Sequence, residues 1–238
     1  MATGTASPPS SGSVARVATI YRSSVGKKVL MAVSGLLLFG FVLSHMVGNL
    51  KVLQGAEAIN GYAVFLRELG YPAVPKYGVL WVARVVLLAA VGVHIVSAFQ
   101  LWSRSRSARA SRYTKAQDLS FSYASRTMRW GGVIVLLFIV YHILHFTTGQ
   151  AHTDFVYGDV YHNFVVAFRN PLVLGVYLVA QAALCFHLYH GIWSSLQTLG
   201  ANHPRYNRFR RPVASALAIV VFVGFVTPPM AVALGFIS

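Results

Sequence analysis

Apolar residues come along this chain in long unbroken blocks, not at the spacing of a half-buried helix or strand. Five blocks reach the roughly 20 residues that a bilayer-spanning helix needs: 29–50, 78–102, 130–148, 171–199 and 213–237. In lipid the backbone must satisfy its polar groups inside a helix or a closed barrel, and these runs lack the alternation of barrel strands. The pattern predicts an all-α integral membrane bundle of five transmembrane helices. Two connections, 55–70 and 153–171, mix aromatic, aliphatic and charged residues without the length to span. Each has the make-up of a short amphipathic helix at the interface.

Residues 1–13 (MATGTASPPSSGS) are small and polar with two prolines, a composition expected to be disordered. Residues 1–25 are therefore read as a short N-terminal segment and 26–238 as the membrane domain. No positively charged start leads into an apolar core before Lys28, so the first apolar run reads as a retained helix, not a cleaved signal peptide.

Composition agrees with the blocks. The 238 residues are 56% hydrophobic and only 11% charged, against roughly a quarter charged in soluble domains. The net charge of +15 would suit a nucleic-acid binder, but its distribution argues against one. Arg16, Arg22, Lys27 and Lys28 precede the first span. Arg104, Arg106, Arg109, Arg112, Lys115, Arg126 and Arg129 fill the loop after the second, and Arg205, Arg208, Arg210 and Arg211 lie between the fourth and fifth. The alternate loops carry few cations and most of the acids. This is the positive-inside pattern, which puts the N-terminus in the cytoplasm and the C-terminus outside. The long basic loop 103–129 is either a surface for a soluble partner or a solvated loop against lipid.

Trp81, Trp102, Trp130 and Trp193 fall near span ends, where interfacial anchoring accounts for them. The single cysteine, Cys185, reads as a small buried apolar residue, and the chain has no CxxCH for covalent haem attachment. Pro228 and Pro229 lie inside the fifth span and are expected to kink it. That span has no histidine, so packing, or shaping a lipid or quinone crevice, is its expected role.

The chemistry lies in the histidines of the other four spans. His45, His94, the pair His142/His145 and the pair His187/His190 all fall at membrane depth, where an ionisable side chain is costly and points to function. With alternating helix direction and about 1.5 Å of rise per residue, His45 and His142/His145 share an outer level. His94 and His187/His190 share an inner one. Two levels with a pair at each suit two bis-histidine haems, since low-spin electron-transfer haem needs both axial positions filled. No Cys or carboxylate completes a zinc site at either level. Depth favours His142 in the third helix and slightly favours His190 in the fourth, and leaves that second choice open. His152, His162 and His203 lie in loops and are expected to be solvated.

At these residues the chain resembles a known family, the diheme cytochrome b membrane anchors of succinate dehydrogenase and fumarate reductase (succinate:quinone oxidoreductases of the cytochrome b558 type). The marks are GKKVLMAVSGLLLFGFVLSHMVGNL around His45, the apolar helix around His94, VYHILHF around His142 and FHLYHGIWSSLQTLG around His187. They extend over roughly residues 26–237. The resemblance implies that the first histidine of the last motif, His187, is the ligand, with His190 bonding to a propionate or carbonyl nearby. It implies His94 with His187 on an inner, proximal haem b and His45 with His142 on an outer, distal one. It also implies a flavoprotein and an iron–sulfur subunit docked on the cytoplasmic face of a bacterial inner membrane. Electrons would pass through the two haems to a quinone, menaquinone, and this chain would not touch succinate. Glu68 is the family-derived candidate for a proton carrier at the quinone, with Glu57 as the alternative. Arg84, toward the outer end of the second span, either snorkels to water or pairs with a distal haem propionate.

Two other classes fit the same spans. One is a cytochrome b of another membrane oxidoreductase, of hydrogenase or formate dehydrogenase type. The other is a transporter whose midplane histidines relay protons.

Overall fold

The computed structural model describes residues 21–107, 119–201 and 203–238, with the backbone alone for 119–127. The polar segment 1–13, Arg16 and the middle of the basic loop, with Arg109, Arg112 and Lys115, lie outside the described residues. Every regular element among the described residues is helical. In chain order these are α1 (Ser24–Asn49), α2 (Ala56–Glu68), α3 (Gly78–Ser107), α4 (Leu119–His142), α5 (Val160–Arg169), α6 (Pro171–Thr198) and α7 (Pro204–Ala233). A short 3₁₀ turn, Leu50–Gln54, continues α1, and a wider π turn, Ile143–Thr147, continues α4.

Five of these segments are long and apolar enough to cross a membrane: Ser24–Gln54, Gly78–Ser107, Met128–Thr147, Pro171–Thr198 and Pro204–Ala233. They coincide with the five expected spans, extended mainly into the polar flanks. The short α2 and α5 occupy the two connections expected to form interfacial helices. The outward faces are apolar: Val82, Leu88 and Leu137 are each about two-thirds exposed. Such faces are stable only where the surrounding solvent is itself hydrocarbon.

Local chemistry sets the helix starts. The Ser23 hydroxyl accepts from Gly26 N at 2.9 Å ahead of α1. Asn170 caps α6 through Leu172 N at 2.9 Å, with Pro171 in the first turn where its missing N–H costs nothing. His203 and Pro204 start α7 in the same way, which is why that helix begins before the expected 213. α7 continues through Pro212, Pro228 and Pro229 as one helical element.

At the basic end, Arg104 donates to Arg22 O at 2.8 Å and to Ser24 Oγ at 3.2 Å, joining α3 to the start of α1. Lys27 is buried there, its ammonium bonded to Gln100 Oε1. At the opposite end α2 and α5 are clasped by one side chain. Asn60 donates to Asp159 Oδ1 at 2.9 Å and accepts from Val160 N and Tyr161 N at 2.8 and 3.1 Å. The core of that end gathers Val52, Ile59, Phe164, Phe168, Tyr177 and Val232. A second core, nearer mid-bundle, joins α1, α6 and α7 through Met46, Leu188, Ile192, Ala214, Ala218 and Val221. Gly224 leaves room for the Met46 side chain at the α1–α7 contact, where an added Cβ would overlap its sulfur.

Candidate cofactor site in the membrane bundle

Within the bundle α1 packs along α3, and α4 packs along α6. Two histidine pairs bridge these helix pairs. His45 of α1 meets His142 of α4 with ring centroids 5.8 Å apart and planes at 82°. His94 of α3 meets His187 of α6 at 6.1 Å and 64°. All four side chains line one largely apolar cavity of about 1520 Å³.

The pairs lie at two levels. The His94 ring sits against Gly35, where an added Cβ would stand 3.1 Å from His94 Cε1. Gly35 precedes His45 by ten residues of α1, about 15 Å of helix at 1.5 Å per residue. α4 repeats the arrangement: Gly132, ten residues before His142, faces the His187 ring, with an added Cβ 3.7 Å from Cε1.

The cavity takes one histidine from each doublet. His142 and His187 line it, whereas His145 and His190 do not. In an α-helix, side chains three apart point only about 60° from one another, so both could have faced inward. Beyond His142 the helix widens to an i→i+5 turn, marked by Thr148 N bonding Ile143 O at 3.0 Å. More residues per revolution swing His145 further away from His142's direction. His145 is 2% exposed, packed between Tyr141 at 5.2 Å and His152 at 4.9 Å, both rings nearly parallel to it. His190 rests edge-on against Trp193 at 5.4 Å.

Hydrogen bonds orient the rings. His94 Nδ1 lies 3.2 Å from Met31 O and 3.3 Å from Ser34 Oγ. A carbonyl only accepts, so Nδ1 carries the proton and Nε2 is left with its lone pair for a metal. His142 Nδ1 lies 3.3 Å from the Tyr177 hydroxyl, which also reaches His145 Nδ1 at 3.0 Å. His45 stacks on Phe41 at 5.3 Å, with Phe225 on it at 5.9 Å. His187 Nδ1 is buried without a hydrogen-bond partner.

This donor set fits haem. A first-row metal lies about 2 Å from an imidazole nitrogen, and the ring centroid is about 1 Å further back. Two imidazoles on opposite sides of one iron therefore have centroids about 6 Å apart, as in both pairs. Among the described residues no group of three or more His, Cys, Asp or Glu side chains could hold a metal. The cavity exceeds the roughly 300–1,000 Å³ of ordinary small-molecule pockets, and the apolar lining suits a porphyrin face.

Arg84 lines the cavity, half-buried, its guanidinium 4.9 Å over the Trp81 ring. It lies ten residues before His94 on α3, and so near the level of His45 and His142. Glu57 and Glu68 are exposed and do not line the cavity. Glu68 instead pairs with Lys76 at 2.5 Å and holds that ammonium above its ordinary pKa. Trp81, Trp102 and Trp130 line the cavity as well as standing near span ends.

His152 departs from the expectation of a solvated loop residue. It is half-buried, stacked on His145, with Nε2 2.8 Å from Asn163 O, because the loop after the π turn folds back over α4. His162 meets Asp154 at 3.1 Å, and His203 is exposed as the α7 cap. Sequence reasoning missed Tyr177, Gly35 and Gly132. A signal existed: each stands ten residues before a ligand-candidate histidine on its own helix, at the level of the other pair.

Over 184 residues the chain is 26% identical to the succinate dehydrogenase cytochrome b558 subunit of Bacillus subtilis (strain 168), a match covering 77% of this chain and 82% of that one. The chain is similar to that subunit over most of the length of both. The shared length takes in most of the membrane bundle, so the similarity concerns the whole architecture and not one motif. No family model matches the chain, and no solved structure does.

Proposed function

We propose that this chain is the cytochrome b membrane anchor of a succinate dehydrogenase, carrying two haems b in series across a bacterial cytoplasmic membrane. The observation that carries the reading is the pairing of His45 with His142 and His94 with His187 at about 6 Å, at two levels of one cavity. The similarity to the named subunit supports the same reading.

His94 and His187 would hold the inner iron, His45 and His142 the outer one. Bound there, the haems would supply one-electron carriage between an iron–sulfur partner and membrane quinone, menaquinone in this reading. With a histidine from each of two helices holding each iron, the site would be suited to electron transfer and not to binding a further ligand. The aliphatic and aromatic lining excludes water. Arg84 at one level, and Lys28 and Arg129 toward the basic end, are cations that line the cavity, and Arg84 is the proposed partner of an outer haem carboxylate. His190 has the place of a neighbour and His145 that of a packed residue outside the cavity. Glu68 and Glu57, on the far side from the basic end, are the proposed proton carriers for quinone.

The charge asymmetry supports a cytoplasmic basic end, with the N-terminus inside and the C-terminus outside. The flavoprotein and iron–sulfur subunits would dock at that end. The deciding experiment is a reduced-minus-oxidised spectrum of the purified complex with its haem stoichiometry, together with identification of copurifying subunits. Two haems b with a succinate-oxidising flavoprotein and an iron–sulfur protein are expected. Absence of haem favours the transporter class, and haem with a different soluble partner favours another membrane oxidoreductase.

A further inference from the structure

We infer that Tyr177 and His145 are positioning residues for His142, forming a directed hydrogen-bond chain that fixes the tautomer and strength of the outer iron ligand. The inference rests on the haem reading above and goes beyond it, since it gives the non-ligand histidine of the third span a role.

The Tyr177 hydroxyl stands 3.3 Å from His142 Nδ1 and 3.0 Å from His145 Nδ1. A phenol has one proton to give, so it donates to one ring and accepts from the other. Were it to donate to His142, that ring would keep its own proton on Nε2 and could not bind a metal through it. With Nε2 on iron, His142 Nδ1–H must donate to the Tyr177 oxygen, and the Tyr177 proton must go to His145 Nδ1. His145 is thus the acceptor that makes the useful direction the stable one.

Tyr177 is 6% exposed and His145 2%, which leaves bulk water little access to the pair. Tyr141 and His152 clamp the His145 ring from its two faces, and Phe138 and Phe168 meet the Tyr177 ring edge-on at 4.9 Å each. The inner site is built differently: His94 Nδ1 meets a main-chain carbonyl and the Ser34 hydroxyl, and His187 Nδ1 has no partner. Among the described residues a tyrosine backed by a second histidine stands behind a ligand at the outer level and not at the inner one. An oxygen accepting from Nδ1–H makes the imidazole a stronger donor, which favours the oxidised metal.

The test uses the purified complex, with redox titration and electron paramagnetic resonance of the low-spin haem signals. The outer haem is assigned as the one lost in His45→Ala. In Tyr177→Phe the outer haem's midpoint potential is expected to rise and its low-field signal to move, with the inner haem unchanged. His145→Leu should reproduce that change, and His145→Asn, whose amide oxygen can replace Nδ1 as acceptor, should restore much of it. An unaltered outer haem in Tyr177→Phe, equal change or loss at both haems, or identical behaviour of the Leu and Asn variants would overturn the inference. A wild-type complex with no haem would instead overturn the proposed function.

Discussion

His45 and His142, 97 positions apart in the sequence, face one another edge-on with centroids 5.8 Å apart across the interior of the bundle. Neither helix packs extensively on the other. α1 is held by α3, α6 and α7, and α4 by α6, so the pair meets across a gap and not through a contact seam. A separation set by third parties is what a ligand inserted between two side chains requires.

The first prediction concerns ligand choice. His94→Ala and His187→Ala should each leave one haem per complex, the outer one, and His45→Ala and His142→Ala should each leave the inner one. His145→Ala and His190→Ala should retain two haems, because neither ring lines the cavity. Haem content with spectral assignment measures this. Two haems in His142→Ala together with one in His145→Ala would transfer the ligand to His145.

A second concerns the space beside the inner pair. Gly35 has 3.1 Å between an added Cβ and the His94 ring, whereas Gly132 has an ordinary 3.7 Å to the His187 ring. Gly35→Leu should displace His94 and lose the inner haem, at an overpacking cost of about 1–3 kcal/mol. Gly132→Ala should keep both haems. The two variants compared by haem content and thermal stability decide it; equal tolerance would show that the Gly35 approach has no role.

The α2–α5 clasp should loosen in acid. The His162 N–H and the Asn60 amide hold the Asp159 carboxyl below its ordinary pKa. A depressed folded pKa contributes stability that is complete above the unfolded value of about 4 and fades as pH falls through the folded one. Exchange protection of the α5 amides, corrected for intrinsic rates, should therefore decline only below about pH 4. Asp159→Asn keeps a capping oxygen without the titration and should flatten that profile; an unchanged acid response would assign it to another group.

Topology gives a fourth. With the basic end in the cytoplasm, a reporter fused after Ser238 should behave as extracytoplasmic. One inserted after Ser107, where α3 gives way to the connection to α4, should behave as cytoplasmic. Paired alkaline phosphatase and green fluorescent protein fusions report the two sides, and the opposite assignment at either position would invert the proposed path from partner to quinone.

The five spans were legible because lipid imposes one requirement on every residue of a crossing helix, and an apolar run of sufficient length meets it without reference to any other part of the chain. The same holds for the interfacial helices, whose mixed composition is local. The histidine levels followed from counting residues along helices of alternating direction, since rise per residue is constant. The inner and outer groupings needed no tertiary information.

What the sequence could not decide was direction around each helix axis. Depth favours His142 over His145 and leaves His187 against His190 open, the resemblance implying His187; which ring of each doublet turns inward is set by packing. Just beyond α4 lies a π turn at Ile143–Thr147, within which His145 meets Tyr141, His152 and Tyr177. Those contacts join residues from the following loop and from α6, far apart in sequence. The ten-residue spacing of Tyr177, Gly35 and Gly132 from a histidine places them at the right level, but their role depends on which histidine of another helix stands opposite. Hydropathy and rise belong to single helices and can be read along the chain. The choice of facing residue belongs to the bundle, and only the tertiary structure made it.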